Sequence, residues 1–349
     1  MKILLIRTSA LGDVVHCLPV LTALRRHFPG AKIGWVVEGA MAPVLAGHPD
    51  LDELLVVRLR AWRKKPFSRQ TRNEVAAFRD ALDRFAPDVT LDLMGNHKAG
   101  FLSALTLCDR RIGPDRPWRR EPSSSFWISE PVEVHGTHAV DRALSLLDAL
   151  GIPPEPADFG GSKIFREEPE NLPEPPFLLI QPGAGWPSKR YPPERWGEVA
   201  RRLLEATGLP TWVPIAPGEE GLAAEVEATG GGAVRTMPAD LPTLAALLRR
   251  ARLVMGGDSG PTHLAHALGT PVLMLMGPTD PARHGPYGAP ERALWKLLPC
   301  SFCYRRFDET KACLLDIPAE QVAGRAVELI DPVPPLPSPL PRAGGEGAL

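Results

Sequence analysis

The stretch MKILLIRTSALGDVVH at residues 1–16 decides the fold of this chain. KILLIR at 2–7 is an unbroken apolar run, suited to a strand buried on both faces of a parallel sheet. It breaks into TSALGD and then a helical pattern. A strand that turns at once into a helix builds a ligand site at the strand's carboxyl end. This turn carries one carboxylate, Asp13, beside Gly12, with His16 one turn further on. It has no G-x-G-x-x-G spacing, so it reads as a reaction site and not as a dinucleotide fingerprint.

Strand and helix patterns alternate from there. KIGWVVE (32–38), ELLVV (53–57) and VTLDL (89–93) are further buried-strand runs. Helical patterns cover 14–28, 73–85, 98–107 and 138–150. A Pro/Gly-rich stretch follows Gly151 and continues through PENLPEPP to 176, the composition of a linker. The alternation then restarts, with strands at 177–181, 210–216, 252–257 and 271–277. Helices lie between them, and 318–330 reads as a closing helix. The expected fold is α/β, with two doubly wound domains facing a cleft. We expect an N-terminal domain at 1–165, a C-terminal domain at 166–332 and a disordered Pro/Gly-rich tail at 333–349. A chain of 349 residues is also too long for one ordinary core.

With 40 basic and 41 acidic residues the net charge is −1, which argues against bulk nucleic-acid binding. The charge is uneven. RLRAWRKKPFSRQTRN at 58–73 holds seven Arg or Lys and no acid, and RRIGPDRPWRREP covers 110–122. Two basic clusters interleaved with Trp62 and Trp118 suit an anionic interface; solvated loops are the plainer alternative. Five cysteines make no disulfide framework in a chain this size. The start carries no leader pattern, and no apolar run approaches the ~20 residues that span a bilayer. The expectation is a soluble, cytoplasmic protein.

The second half has its own strand–turn–helix site, VMGGDSGPTHLAHALG. Gly260 permits close backbone approach, Pro261 suits the first helical turn, and Thr262 and His263 add donors. The free amides of that helix start suit a phosphate or pyrophosphate. Asp258 and Ser259 read either as part of that site or as ordinary helix caps. Lys189 and Arg190, in QPGAGWPSKRYP, either face the same phosphates or lie on the surface. Glu219 or Glu220 either accepts from a ribose or favours a helix start. His97 and Lys98, in GNHKAG, line the first half's site or open a helix.

Taken in order, KILLIRTSALGDVVHCLPVLTALRRHFP, DLMGNHKAG, PGAGWPSKRYPPERW and GGDSGPTHLAHALGTPVLMLMGPTDP resemble the lipopolysaccharide heptosyltransferases, glycosyltransferase family nine. The likeness covers most of the chain. It implies the two-domain GT-B fold and inverting transfer of L-glycero-D-manno-heptose from ADP-heptose to the lipopolysaccharide inner core. The first half is most similar to heptosyltransferase I, which adds heptose to Kdo on lipid A. RAWRKKPFS, REP at 120–122 and HAVDR at 138–142 carry that likeness. The resemblance implies that Asp13 is the catalytic base. It implies that Ala184, Gly185, Lys189, Glu219, Asp258, Ser259, Gly260 and His263 bind the donor. Arg60, Arg63, Lys64, His97, Lys98 and Arg120 would then face the anionic Kdo–lipid A acceptor. The protein would touch the inner membrane transiently and peripherally, with no nucleic-acid partner and no cofactor or metal. The sequence departs from heptosyltransferase I at Ala184 and Gly185, where that branch has two threonines. It also departs at Ala239, near the adenine, and at CSFCYRRFDETKAC (300–313). Cys300, Cys303 and Cys313 are one ligand short of a four-cysteine metal site; His284 as a fourth ligand, reduced thiols and a reversible disulfide are the alternatives. Rival readings are a family member with another nucleotide sugar or acceptor, a nicotinamide-dependent dehydrogenase, and a non-catalytic anion-binding module.

Overall fold

The computed structural model describes residues 1–165 and 169–330. The expected boundary at 166 and the tail 333–349 lie outside the described residues. The first sheet comprises β1 (Lys2–Ile6), β2 (Lys32–Glu38), β3 (Glu53–Val57), β4 (Val89–Asp92), β5 (Arg110–Pro114) and β6 (Glu130–Val132). The second comprises β7 (Leu178–Gln181), β8 (Thr211–Ile215), β9 (Val234–Pro238), β10 (Leu253–Gly257), β11 (Val272–Met276) and β12 (Ala293–Trp295). The strand orders are β3-β2-β1-β4-β5-β6 and β12-β11-β10-β7-β8-β9, the same doubly wound order twice. All pairings are parallel. The order reverses beside β1 and β4 in one sheet and beside β7 and β10 in the other. Ligand crevices form at such switch points, outside the strands' carboxyl ends.

Strand alternation assigns the faces. Ile3 and Leu5 of β1 point into one core layer, and Leu4 and Ile6 into another against Phe78, Leu82 and Phe85. In the second sheet Leu179 and Val254 join the same layer as Ile3 and Leu5. Leu178, Ile180, Leu253 and Met255 face an outer layer closed by the helix Ala319–Ile330. The middle layer therefore runs through both halves, with Leu18, Leu21, Val44 and Leu45 from one meeting Leu244, Leu247 and Leu248 from the other. The two sheets share an apolar base, and the crevice opens at their carboxyl ends.

The helix expected at 14–28 is two helices, Leu11–Val15 and Leu18–His27. Pro19 in the first turn of the second has no N–H to continue the ladder, so the chain breaks at His16 and Cys17. Four strands escaped the sequence reading: β5, β6, β9 and β12. RRIGP, EPV, VRTMP and ALW are short, and three of the four contain proline; β6, β9 and β12 are sheet edges.

Placing β5 inside the second basic cluster corrects part of the charge reading. Arg110 pairs with Glu130, and Arg111 binds the carbonyls of Cys108 and Trp127. Arg119 is fully buried against Asp92 at 2.5 Å. Its other nitrogens bond Ser124 Oγ at 2.8 Å and the Pro114 carbonyl at 3.2 Å. Asp92 accepts in turn from the amides of Met94 and Gly95. A buried charge left without its partner is strongly destabilising, so Arg119→Leu is expected to cost about 3–5 kcal/mol in denaturant unfolding. A loss under about 1 kcal/mol is what a surface pair gives and would contradict this account.

Candidate active site at the junction of the two halves

Asp13 lies in the first turn of Leu11–Val15 with 39% of its side chain exposed. Arg7, which follows β1, reaches its Oδ1 at 2.5 Å, and the Ala10 amide donates to Oδ2 at 3.0 Å. Burial opposes the charge, but Arg7 and then the Ala10 amide prevail and hold the carboxyl below its ordinary range. Asp13 is therefore a carboxylate at neutral pH, open to the crevice.

Across from it, Asp258 follows β10. Lys189 Nζ lies 2.6 Å from its Oδ2, Thr279 Oγ1 donates to the same oxygen at 2.7 Å, and His263 Nε2 meets Oδ1 at 3.0 Å. Burial again opposes the charge, and the His263 bond and Lys189 outweigh it, so the carboxyl is driven far down. Asp258 caps no helix. Ser259 occupies the cap position of Gly260–Ala267 without a side-chain cap bond; its Oγ meets Thr262 Oγ1 at 3.1 Å. The amides of that helix start thus remain available for an anion. A Cβ at Gly260 would stand 2.6 Å from Leu11 Cβ, and one at Gly12 would stand 2.7 Å from His263 Cδ2. The two strand–turn–helix sites are in direct contact.

Lys189 ends the short 3₁₀ turn Pro187–Lys189, with its ammonium 4.3 Å from the Trp186 ring centre. Arg306 lies over the same ring at 4.5 Å. Arg190 turns inward and donates twice to the carbonyl of buried Ala184, while Gly185 is exposed. Glu219 caps nothing by its side chain. It packs on Gly183, where a Cβ would stand 2.0 Å from Oε1, and burial raises its pKa against the pull of Arg190. Glu220 is exposed and accepts from the Gly218 amide. Ala239 is buried at the end of β9.

Of the cations on the first half, Lys98 is lowered by its own burial and then by the charges of Arg60, Arg120 and Arg7, against the pull of Glu38. Arg60, Lys98 and Arg120 therefore gather with Arg7 at the strand ends. Arg63 and Lys64 are exposed in the same helix, Leu59–Lys64. His97 opens the helix His97–Ala104, which Asn96 caps; its ring nitrogens meet Ser123 Oγ and Trp127 Nε1. Trp62 donates to Glu74 and packs on Phe78, so it is tied to its own half, and Trp118 lies under Arg142. The exposed aromatics of this half include Phe67, Phe126, Phe101 and Trp118, at 89%, 66%, 51% and 43% exposure; Phe101 and Phe126 pack against Trp127.

The sequence reading did not name Arg7 as the partner of Asp13, and it named His16, His263 and His284 without bringing them together. A ring nitrogen of His16 lies 3.1 Å from one of His263, His138 meets His16 edge to face, and His284 faces Asp258, His263 and Lys189. An arginine ending an apolar strand was the available signal for Arg7. Cys300, Cys303 and Cys313 line one pocket of about 600 Å³ with Ser188 and Lys311. Among the described residues no group of three or more His, Cys, Asp or Glu is placed to hold a metal ion.

The model of Glycosyltransferase family 9 (heptosyltransferase) matches residues 75–313, more than half of the chain. Lipopolysaccharide heptosyltransferase 1 of Pseudomonas aeruginosa is 33% identical over 309 residues, covering 88% of this chain and 87% of the relative. The same-named protein of Escherichia coli is 33% identical over 82% of this chain and 91% of its own length. Among solved structures, E. coli heptosyltransferase WaaC with ADP superposes with a TM-score of 0.79 at 29% identity, covering 94% of this chain and 100% of that one. WaaC with ADP-2-deoxy-2-fluoro heptose gives 0.76, covering 94% of this chain and 99% of that one.

The histidines set a pH dependence. Burial holds His284 at about 4 and His16 well below the ordinary 6.5. Their stabilising effect is complete above pH 6.5 and is lost as pH falls toward 4, because the unfolded chain takes up protons that the fold resists. Asp13 and Asp258 act only below their ordinary 3.8. Urea midpoints should therefore fall between pH 6.5 and 4, and His284→Gln should shrink that fall. A midpoint flat across this window contradicts the assignment.

Proposed function

The chain belongs to glycosyltransferase family 9, the heptosyltransferases, and on that premise we propose that it transfers L-glycero-D-manno-heptose from ADP-heptose to the Kdo–lipid A inner core of lipopolysaccharide, with inversion. The observation that carries this reading is the contact between the Asp13 turn and the Asp258–His263 turn. It sets the partly exposed Asp13 carboxylate, held by Arg7, beside the helix start that suits an anion.

In this mechanism the second half holds ADP-heptose, its diphosphate at the amides opening Gly260–Ala267 and beside Lys189. Glu219 supplies a carboxylate to the ribose, and Gly183 leaves room for it. The acceptor hydroxyl attacks the anomeric carbon from the face opposite the diphosphate. As that C–O bond forms, the bond from the anomeric carbon to the β-phosphate oxygen breaks and its electron pair leaves with ADP. Lys189 and the helix amides face the charge that develops there. Asp13 takes the hydroxyl proton. A carboxylate kept ionised by Arg7 is a weak base, and that suffices because the proton is given up only as the new bond forms. Arg7 also fixes its direction.

Arg60, Lys98 and Arg120 suit the anionic Kdo and lipid A phosphates, with Arg63, Lys64 and His97 at the margin of the same surface. Among the described residues no helix is long and apolar enough to cross a membrane. We place the protein at the cytoplasmic face of the inner membrane, in transient contact. Phe101 and Phe126, exposed next to the cations, join Trp118 and Phe67 as the side chains that would enter the interface, whereas Trp62 is held by Glu74. Phe101→Ser with Phe126→Ser should lower co-sedimentation with anionic phospholipid vesicles and leave ADP binding intact. Unchanged co-sedimentation would remove this surface from the account.

The direct test is transfer from ADP-heptose to Kdo–lipid A. Wild type should turn over, and Asp13→Asn should lose roughly 10²–10⁴ in kcat while still binding ADP. Wild-type-like turnover by Asp13→Asn would sink the base assignment. No transfer to any Kdo acceptor by wild type would sink the proposed reaction.

A further inference from the structure

His16 stands at the break between Leu11–Val15 and Leu18–His27, where Pro19 interrupts the helix, and it is 6% exposed. Its Nε2 lies 3.1 Å from His263 Nδ1, the rings 4.4 Å apart and edge to face. The direction of this bond follows from the ring tautomers that the neighbouring groups favour. The Asp258 carboxylate can only accept, so His263 carries a proton on Nε2, and as a neutral ring it offers a lone pair at Nδ1. In that arrangement His16 donates from Nε2 and keeps no proton on Nδ1. Among the described residues that buried Nδ1 has no hydrogen-bond partner. A neutral imidazole tolerates this; a protonated one would bury an N–H without an acceptor.

On the donor reading given above, we infer that His16 is a positioning residue: carried by the acceptor half, it fixes the His263–Asp258–Lys189 chain of the donor half for the donor's diphosphate. Its donation selects the His263 tautomer that bonds Asp258. Asp258 in turn holds the Lys189 ammonium at 2.6 Å. His263 can take this place because Gly12 carries no Cβ, which would stand 2.7 Å from its Cδ2. The donor site is thus completed by a side chain from the other half. Neither half presents the whole arrangement alone.

The test is ADP binding by calorimetry, with thermal midpoints recorded for each variant. His16→Leu, which fills the space without a donor, should weaken ADP binding by about tenfold. At saturating donor its KM for the acceptor should stay at the wild-type value. His16→Gln, whose side-chain amide can donate near the place of Nε2, should recover most of the affinity. Should His16→Leu fail to fold, His16→Gln against His16→Met decides: affinity kept by Gln and lost by Met supports the role, and equal affinity in the two overturns it. Wild-type affinity in His16→Leu, or Gln as poor as Leu, overturns it too. A wild-type protein that binds no ADP overturns the donor reading and this inference together; binding by wild type with His16→Leu unaffected overturns this inference alone.

Discussion

Everything in the crevice depends on one close approach. The helix start at Leu11–Val15 rests on the helix start at Gly260–Ala267, and the approach is possible because Gly12 and Gly260 lack side chains. A methyl group on either would strike its neighbour at under 3 Å, at 2.7 Å and 2.6 Å. Each helix start follows the strand at its own sheet's switch point. Bringing the two together therefore turns two ordinary βα crevices into one site with two walls. The apolar layer shared by both sheets sets the base of that crevice, and the histidines seal its inner end.

The walls are charged but internally balanced. Asp13 is paired with Arg7, and Asp258 with Lys189 and His263. Each carboxylate is held ionised by partners that also fix its direction. Such a site is organised before substrate arrives, and charge developing on a leaving group meets oriented donors and not water that must reorient. The two carboxylates differ in setting. Asp13 is partly exposed, with Arg7 and the Ala10 amide on its oxygens; Asp258 is buried, and its oxygens meet His263, Lys189 and Thr279.

Much of this was legible in the sequence. The apolar runs gave eight of the twelve strands among the described residues within a residue or so, because strands buried on both faces are continuous apolar segments. RRIGP, EPV, VRTMP and ALW were not legible, since their short, proline-bearing or polar runs look like loops until a neighbouring strand is present. Asp13, Asp258 and His263 could be singled out because they follow strand ends and glycines. Arg119 could not: as a letter it is one of several arginines in a basic cluster, and only the fold shows it buried on Asp92. Trp62 misled for the same reason, its ring being anchored by Glu74. His16 was visible at the first turn, but its partner lies 247 residues away, a separation no local pattern encodes.

The central claim is that the two turns form one site, so a ligand of one half is felt in the other. Hydrogen exchange with and without ADP measures this directly. Binding of ADP alone should protect amides at 183–190 and 258–264 and, in the other half, at 11–16. Protection confined to the second half, with 11–16 exchanging as in the free protein, would contradict the account.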